Sequence, residues 1–340
     1  MRGGTVMSTT GSSTRRTLTF GIYPGALLGD DQGVVHPVRP DDPDRINAAL
    51  DALQGEAAPL VVRAYRSFAV TVPADRTPPT PADPQDYLRH GRTLDLVLQF
   101  REPSGELVGW TEFVRDAVRS AGPRLASVQI CEEPNADLPS VDGSLPHVMD
   151  ALVEGVVAAK QEARALGRPV AVGFNAVPTF DPADTFWPTL GARADARFRQ
   201  SLDYVGLDFF PDVFRPIAED QLAAAVTAVL TAFRRTSLPQ AGIADTVPVR
   251  VCENGWPTGP GRPEQRQCTA LDTVVRTTAA LADELNIDGY SFFALRDADS
   301  AADGLFHHFG LLRDDYTPKP AFTTYRRLVQ DLGRRPHGAG

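Results

Sequence analysis

A closed barrel of eight strand-then-helix units is the fold class that the sequence predicts, and three observations predict it. Short β-rich runs alternate with helical stretches in strict order, which favours a parallel sheet. The alternation yields eight units with no leftover element, and a count of eight favours closure over an open sheet. The turn after the first strand, Tyr23-Pro24-Gly25-Ala26, is not the glycine-rich phosphate turn that an open doubly wound sheet usually carries. At 340 residues the chain could hold two average domains, yet single α/β barrels commonly run to roughly 250 residues or more.

The elements follow in order. Leu18 to Tyr23 reads as the first strand, and Asp41 to Leu53 has a helical period through Ile46, Leu50 and Leu53. The second strand is Leu60 to Tyr65, followed by a short helix over Asp83 to His90; the third is Asp95 to Phe100, followed by a helix over Trp110 to Arg119. The fourth, Ala126 to Cys131, leads to a long helix from Leu145 to Ala165. The fifth, Val170 to Phe174, precedes a proline-rich loop and a helix over Ala192 to Ser201. Tyr204 to Phe210 is strand six, with a helix over Glu219 to Phe233. Strand seven runs from Val247 towards Glu253, with a helix over Glu264 to Leu285, and strand eight is Gly289 to Leu295, closed by a helix over Ala321 to Leu332. One barrel over residues 17–333 is expected, with a disordered lead-in at 1–16 and a flexible tail at 334–340.

Composition narrows the function classes. A formal net charge of −9 argues against nucleic acid or an anionic membrane as the main partner, since both ask for a basic face. No apolar run approaches the roughly 20 residues that span a bilayer, so no membrane partner is expected. Cys131, Cys252 and Cys268 show no CxxC or other metal spacing, and the odd, sparse count suits a reducing compartment. The lead-in has no apolar core of a signal peptide, so a cytoplasmic location is expected. Period-2 alternation would put Cys131 on the face of Glu133 and turn Cys252 away from Glu253, which disfavours a bridge between the two thiols. The histidines are scattered, without HxH or HExxH, so no metal site is expected.

In such a barrel the active site lies at the C-terminal ends of the strands. The residues found there are Arg63 and Tyr65 on strand two, Glu132 and Glu133 on four, and Asn175 on five. Asp208 and Phe210 end strand six, Glu253 and Trp256 follow seven, and Arg296 with Asp297 ends eight. Sugars ask for this mixture, because hydroxyls need polar partners and the apolar face of a pyranose packs on aromatic rings. Two carboxylates on two strand ends in one concave site are what glycosidic-bond hydrolysis requires.

Cys131-Glu132-Glu133-Pro134-Asn135 and Glu253-Asn254-Gly255-Trp256-Pro257 resemble the strand-four and strand-seven motifs of clan A glycoside hydrolases, the 4/7 superfamily of TIM barrels. The segment Gly304 to Leu312 with Thr317-Pro318-Lys319-Pro320-Ala321-Phe322 is similar to the end of that clan's barrel. The resemblance covers roughly Leu18 to Leu332. It implies a retaining glycoside hydrolase in which Glu133 is the general acid/base and Glu253 the nucleophile, their carboxyls about 5–5.5 Å apart. It also implies that Arg63 matches the arginine many members use to keep the nucleophile ionised. No metal or organic cofactor enters that mechanism, and the partner is a carbohydrate or glycoside substrate.

The chain departs from the clan pattern at two places. Glu132 stands where the clan has an asparagine that contacts the sugar 2-hydroxyl, and Phe292-Phe293 stands where the clan usually has a tryptophan near the end of strand eight. Glu132 would suit an amino or otherwise cationic group on the substrate. A transglycosidase with the same residues and a non-catalytic carbohydrate-binding barrel are the alternatives. Retention of both glutamates favours an enzyme.

Overall fold

The computed structural model describes residues 17–26, 38–72 and 76–334. The expected lead-in at 1–16, and the tail beyond 334, lie outside the described residues.

Eight parallel strands close on themselves in chain order. They are β1 (Thr19–Ile22), β2 (Val61–Phe68), β3 (Thr93–Phe100), β4 (Leu125–Ile130), β5 (Ala171–Ala176), β6 (Tyr204–Asp208), β7 (Val249–Asn254) and β8 (Ile287–Phe292). Closure rests on the β1–β8 ladder, where Gly21 lies opposite Ser291 and Ile22 opposite Phe292. The strands read as near-continuous buried runs because helices cover one face while the barrel interior buries the other; all five residues of β6 are buried.

The helices are α1 (Pro43–Gln54), α2 (Trp110–Ser120), α3 (Val148–Ala165), α4 (Phe186–Arg193), α5 (Ala196–Ser201), α6 (Leu222–Ala232), α7 (Leu238–Gln240), α8 (Glu264–Ala280) and α9 (Pro320–Leu332). In α1 the sequence signals act as expected. Asp42 caps the Arg45 amide at 3.1 Å, proline opens the first turn, and Ile46, Leu50 and Leu53 are buried along one face.

The strict helical alternation needs two corrections. Between β2 and β3 the expected helix is only a 3-10 turn, Pro84–Tyr87, because its 3-10 bonding ends at Leu88, whose amide returns to Gln85. The single helix expected over Ala192 to Ser201 is two pieces, since Ala194 is extended and Asp195 caps a fresh start by accepting from the Phe198 amide. The stretch after strand five that was expected as a proline-rich loop already holds α4, in which Trp187 is buried at 1% exposure.

The chain that enters β1 and the chain that leaves α9 are stitched side by side. Leu18 donates its amide to Leu332 O and accepts from the Arg334 amide, both at 3.1 Å, and Arg334 O accepts from Ala58. Among the described residues, no helix is long and apolar enough to cross a membrane.

Candidate functional site

The barrel register builds a polar row beneath the mouth. Arg63 on β2 lies opposite Asp95 on β3, and Asp95 opposite Ser127 on β4, so their side chains point to one side at one level. One step higher, Tyr65, Val97 and Gln129 form the next level. Arg63 is 1% exposed, and burial of a guanidinium requires that its N–H groups be met. They are: one terminal nitrogen donates to Asp95 Oδ2 at 2.5 Å, and the other donates to Gln129 Oε1 at 2.8 Å and to Glu253 Oε1 at 3.2 Å. Its Nε donates to the Tyr65 hydroxyl at 2.9 Å and to Glu253 Oε1 at 3.3 Å. Ser127 Oγ holds the second Asp95 oxygen at 2.6 Å.

Glu253 is delivered by β7, whose register slips against β6 and β8 as it approaches this residue. The strand continues to Asn254, so Glu253 is itself a strand residue, opposite Asp208. Its Oε1 also accepts from the Tyr65 hydroxyl at 2.6 Å. Two residues after Glu253 the chain has to be glycine: a Cβ on Gly255 would sit 2.1 Å from the Phe293 carbonyl oxygen. Asn254 fixes the strand end by donating to Phe209 O at 2.7 Å while accepting from Tyr290 at 2.6 Å.

At the end of β4 the backbone leaves strand geometry. Cys131 has φ of 60° and Glu133 φ of 45°, left-handed conformations that cost non-glycine residues of the order of 1 kcal/mol or more. Period-2 parity therefore stops at Ile130. Cys131 is fully buried whereas Glu132 and Glu133 are both half-buried, so the expectation that Cys131 shares the Glu133 face does not hold. The three cysteines are buried free thiols.

The turn is held from outside. Asp142, fully buried, accepts the amides of Phe100 and Glu132 at 2.8 Å each, with Arg101 3.5 Å from its other oxygen. Burial pushes the Asp142 carboxyl up to about 6. Asn175 accepts the Glu133 amide at 2.8 Å and donates to Asp208. Asn135 clasps Val177 through both backbone groups, at 2.9 and 3.0 Å.

Four carboxyl groups thus crowd one another. Glu132 is pushed up to about 8, by burial first and then by Glu253 and Asp142. Glu133 is held well above the usual carboxylate range by burial, then by Glu253 and Glu132. Asp208 rises for the same reasons, burial first and Glu253 second. A group that keeps its proton near neutrality can serve as a general acid. Gln99 on β3 donates from Nε2 to Glu132, and its own orientation is fixed by Ser67, which donates to Gln99 Oε1 at 2.6 Å.

The wall of the mouth is aromatic. Tyr23 meets Tyr65 edge-on at 5.2 Å, and Phe293 stacks on Tyr23 at 5.3 Å with the rings 12° apart. Phe210 meets Phe293 at 6.5 Å and Phe214 at 6.4 Å, and Phe214 is 64% exposed. Phe293, half-buried just after β8, belongs to the Phe292-Phe293 pair that the sequence sets where the clan usually has a tryptophan.

Two expected substrate contacts are placed differently. Trp256 is 5% exposed and belongs to the apolar core. Its indole N–H donates to Asp212 Oδ2 at 3.0 Å and the Arg262 guanidinium lies 5.3 Å from the ring, so no broad face is left as a sugar platform. Arg296, 1% exposed, donates to Arg39 O at 2.7 Å and Asp41 at 2.9 Å, which ties the β8 loop to the chain before α1. Its neighbour Asp297 pairs with Lys319 at 2.7 Å. The reading also missed Asp95, Gln99, Gln129 and Asp142. Polar residues within apolar strand runs were the available signal, in Asp95, Gln99 and Gln129. Among the described residues no group of histidine, cysteine and acidic side chains is placed to hold a metal ion.

No family model matches the sequence. No curated protein matches it. Solved structures do match. A family 1 β-glucosidase from Thermotoga maritima superposes with a TM-score of 0.64 at 12% identity, covering 93% of this chain and 98% of that one. A β-glucuronidase from Ruminococcus gnavus, solved with D-glucuronic acid, gives 0.60 at 12% identity over 92% of this chain. This chain spans about half of that enzyme, 49% of its length. A β-1,3-glucanosyltransferase from Rhizomucor miehei, an active-site mutant with laminaritriose, gives 0.55 at 15% identity, covering 89% and 96%. At such identities the likeness is one of fold: the chain shares the (β/α)8 barrel of these structures.

Proposed function

We propose that the protein is a retaining glycoside hydrolase, with Glu253 as nucleophile and Glu133 as general acid/base. The observation that carries this reading is the contrast between the two glutamates. Glu253 Oε1 receives the Tyr65 hydroxyl at 2.6 Å and two guanidinium nitrogens of Arg63. Glu133 is surrounded by carboxyl groups and burial, which keep its proton on. Two carboxyls in opposed environments supply one acid and one nucleophile.

Glu253 attacks the anomeric carbon as Glu133 passes its proton to the leaving oxygen. Glu133, now a carboxylate, then takes a proton from water, which displaces Glu253 and frees the sugar with retained configuration. Arg63 and Tyr65 stay fixed throughout and steady Glu253 as its charge is consumed and restored. The fold shared with a β-glucosidase and a β-glucuronidase supports a carbohydrate substrate.

The test is intact-mass labelling with activated 2-deoxy-2-fluoro glycosides, then peptide mapping. One glycosyl unit on Glu253 is the expected result; a label on another residue, or none on folded protein across the panel, overturns the assignment.

The aromatic wall and the glucanosyltransferase fold favour a second reading, transfer of the sugar to an alcohol. Phe210, Phe214 and Phe293 would shelter an acceptor from water. Product analysis with added alcohols separates the two, since a transferase gives chiefly the new glycoside.

A further inference from the structure

We propose that Asp208 is a positioning residue for Glu133, acting through Asn175 and not on the substrate. This rests on the reading of Glu133 as general acid/base.

The argument begins where the sheet stops. The β4–β5 ladder pairs Ser127 with Ala171, Val128 with Val172 and Gln129 with Gly173, and ends there. Above that level, side chains fasten the turn that bears Glu133 to the end of β5. Asn175 Oδ1 accepts the Glu133 amide at 2.8 Å, and Asn135 holds both backbone groups of Val177. Glu133 O accepts the Ala136 amide at 2.9 Å, so both backbone groups of Glu133 are held. A non-glycine residue at φ of 45° stays there only where its surroundings over-determine it, and these contacts do so.

Asn175 can hold that amide in one orientation alone. Its side chain presents an acceptor on one side and a donor on the other, and a half-turn would set N–H against N–H. Asp208 decides between the two. Its Oδ2 accepts from Asn175 Nδ2, which turns the Asn175 oxygen towards the Glu133 amide. An ionised carboxylate suits this task because it offers acceptors alone. Gly206, opposite Asn175 on β6, leaves the space: a Cβ there would lie 2.8 Å from Asn175 Cβ. Asn175 and Asp208 are both 0% exposed while Glu133 is half-buried, so Glu133 is the member of this chain of contacts that meets a ligand. Among the described residues Asp208 Oδ1 has no hydrogen-bond partner, which leaves Oδ2 as the atom through which the residue acts.

The experiment measures kcat/KM, which reports the glycosylation step, on methyl and 2,4-dinitrophenyl β-glycosides of gluco, galacto and manno configuration. Asp208→Leu should lose of the order of a hundredfold on the methyl glycoside, as a displaced catalytic group does. It should lose far less on the dinitrophenyl glycoside, whose leaving group needs no proton. Asp208→Asn keeps an oxygen for Asn175 and should restore most of the loss. In Glu133→Gln, adding Asp208→Leu should cost nothing further, the mark of two residues acting as one unit. Equal losses on both substrate types overturn the proposal, because a residue that touches the sugar or merely supports the fold gives that result. Asp208→Asn as damaging as Asp208→Leu overturns it, and so do losses that multiply with those of Glu133→Gln. Should Asp208→Leu fail to fold, Asn175→Ala breaks the same link and should show the same selective loss; an even loss there overturns the proposal. Each of these outcomes leaves the glycosidase reading standing. Absence of turnover and of label on Glu253 in the wild-type protein overturns that reading and the proposal with it.

Discussion

The Tyr65 hydroxyl lies 2.6 Å from Glu253 Oε1 and donates to it, while Arg63 Nε donates to that same hydroxyl oxygen at 2.9 Å. Arginine, phenol and carboxylate therefore form a short relay fixed before any substrate arrives. Removing one preorganised donor from such a site costs about a hundredfold in kcat. Tyr65→Phe should show a loss of about that size in kcat with KM little changed. Steady-state kinetics on an activated aryl glycoside checks this, and a loss confined to KM would place Tyr65 in ground-state binding.

Glu133 must hold its proton for the first step, and its carboxyl sits well above the usual range. Activity should fall as pH rises through the alkaline limb set by the coupled glutamates. Glu133→Gln should abolish that limb. It should cost about 10²–10⁴-fold on unactivated glycosides and much less for glycosylation from 2,4-dinitrophenyl glycosides, whose leaving group needs no proton. A pH profile on both substrate types distinguishes this from simple misfolding.

Glu132 has a stability consequence with a definite sign. Its folded-state pKa of about 8 lies above the ordinary carboxylate value of 4.5, so the folded protein binds more protons than the unfolded chain between these limits. Its unfavourable contribution is absent below about pH 4.5 and grows until pH 8. Glu132→Gln should thus raise Tm at pH 8 by about 2 °C or more and change it little at pH 4.5. Equal shifts at both pH values would refute the charge-based account.

Lys319 and Asp297 are both essentially unexposed and 2.7 Å apart, with Thr258 Oγ1 at 2.8 Å and His308 O at 3.2 Å completing the ammonium's partners. Asp297 also accepts from the Gly310 amide and from Ser300. Lys319→Met strands a buried carboxyl and should cost about 3–5 kcal/mol. Chemical denaturation measures it. The Lys319→Met/Asp297→Leu double variant should recover much of the loss.

Glu102 is the opposite case to Glu132. Burial works against its charge, yet hydroxyls of Thr71 and Ser104 and the amides of Val70 and Thr71 bring it down to about 2. A depressed acid stabilises the fold above its unfolded value of 4.5 and loses that contribution as pH falls towards 2. Glu102→Gln should lower Tm at pH 7 and narrow its gap to wild type on acidification.

The strand ends were legible because period and punctuation are local properties. Val251 to Gly255 announces a strand, an acid and a turn in consecutive residues, and Arg63 stands out as a charge within an apolar run. What was not legible depends on distant partners. The left-handed turns at Cys131 and Glu133 occur in residue types that carry no turn signal, so parity extrapolated past Ile130 misplaced Cys131. Asp95 and Gln129 looked like ordinary interior strand positions until the register set them beside Arg63. Trp256 and Arg296 sit at strand ends in sequence, but Asp212 and Asp41 claim their polar groups.

The stitch between Leu18 and the residues flanking the end of α9 bears on how the barrel comes apart. Terminal segments ordinarily fray first and exchange their amides almost freely. Here the first strand and the last helix restrain each other across most of the sequence, with Leu18 buried at 0% exposure. Neither can peel away without exposing the seam where the circle of strands closes. The two ends of the barrel are therefore one mechanical unit, and force applied between them would load the closing seam before it reached the middle strands.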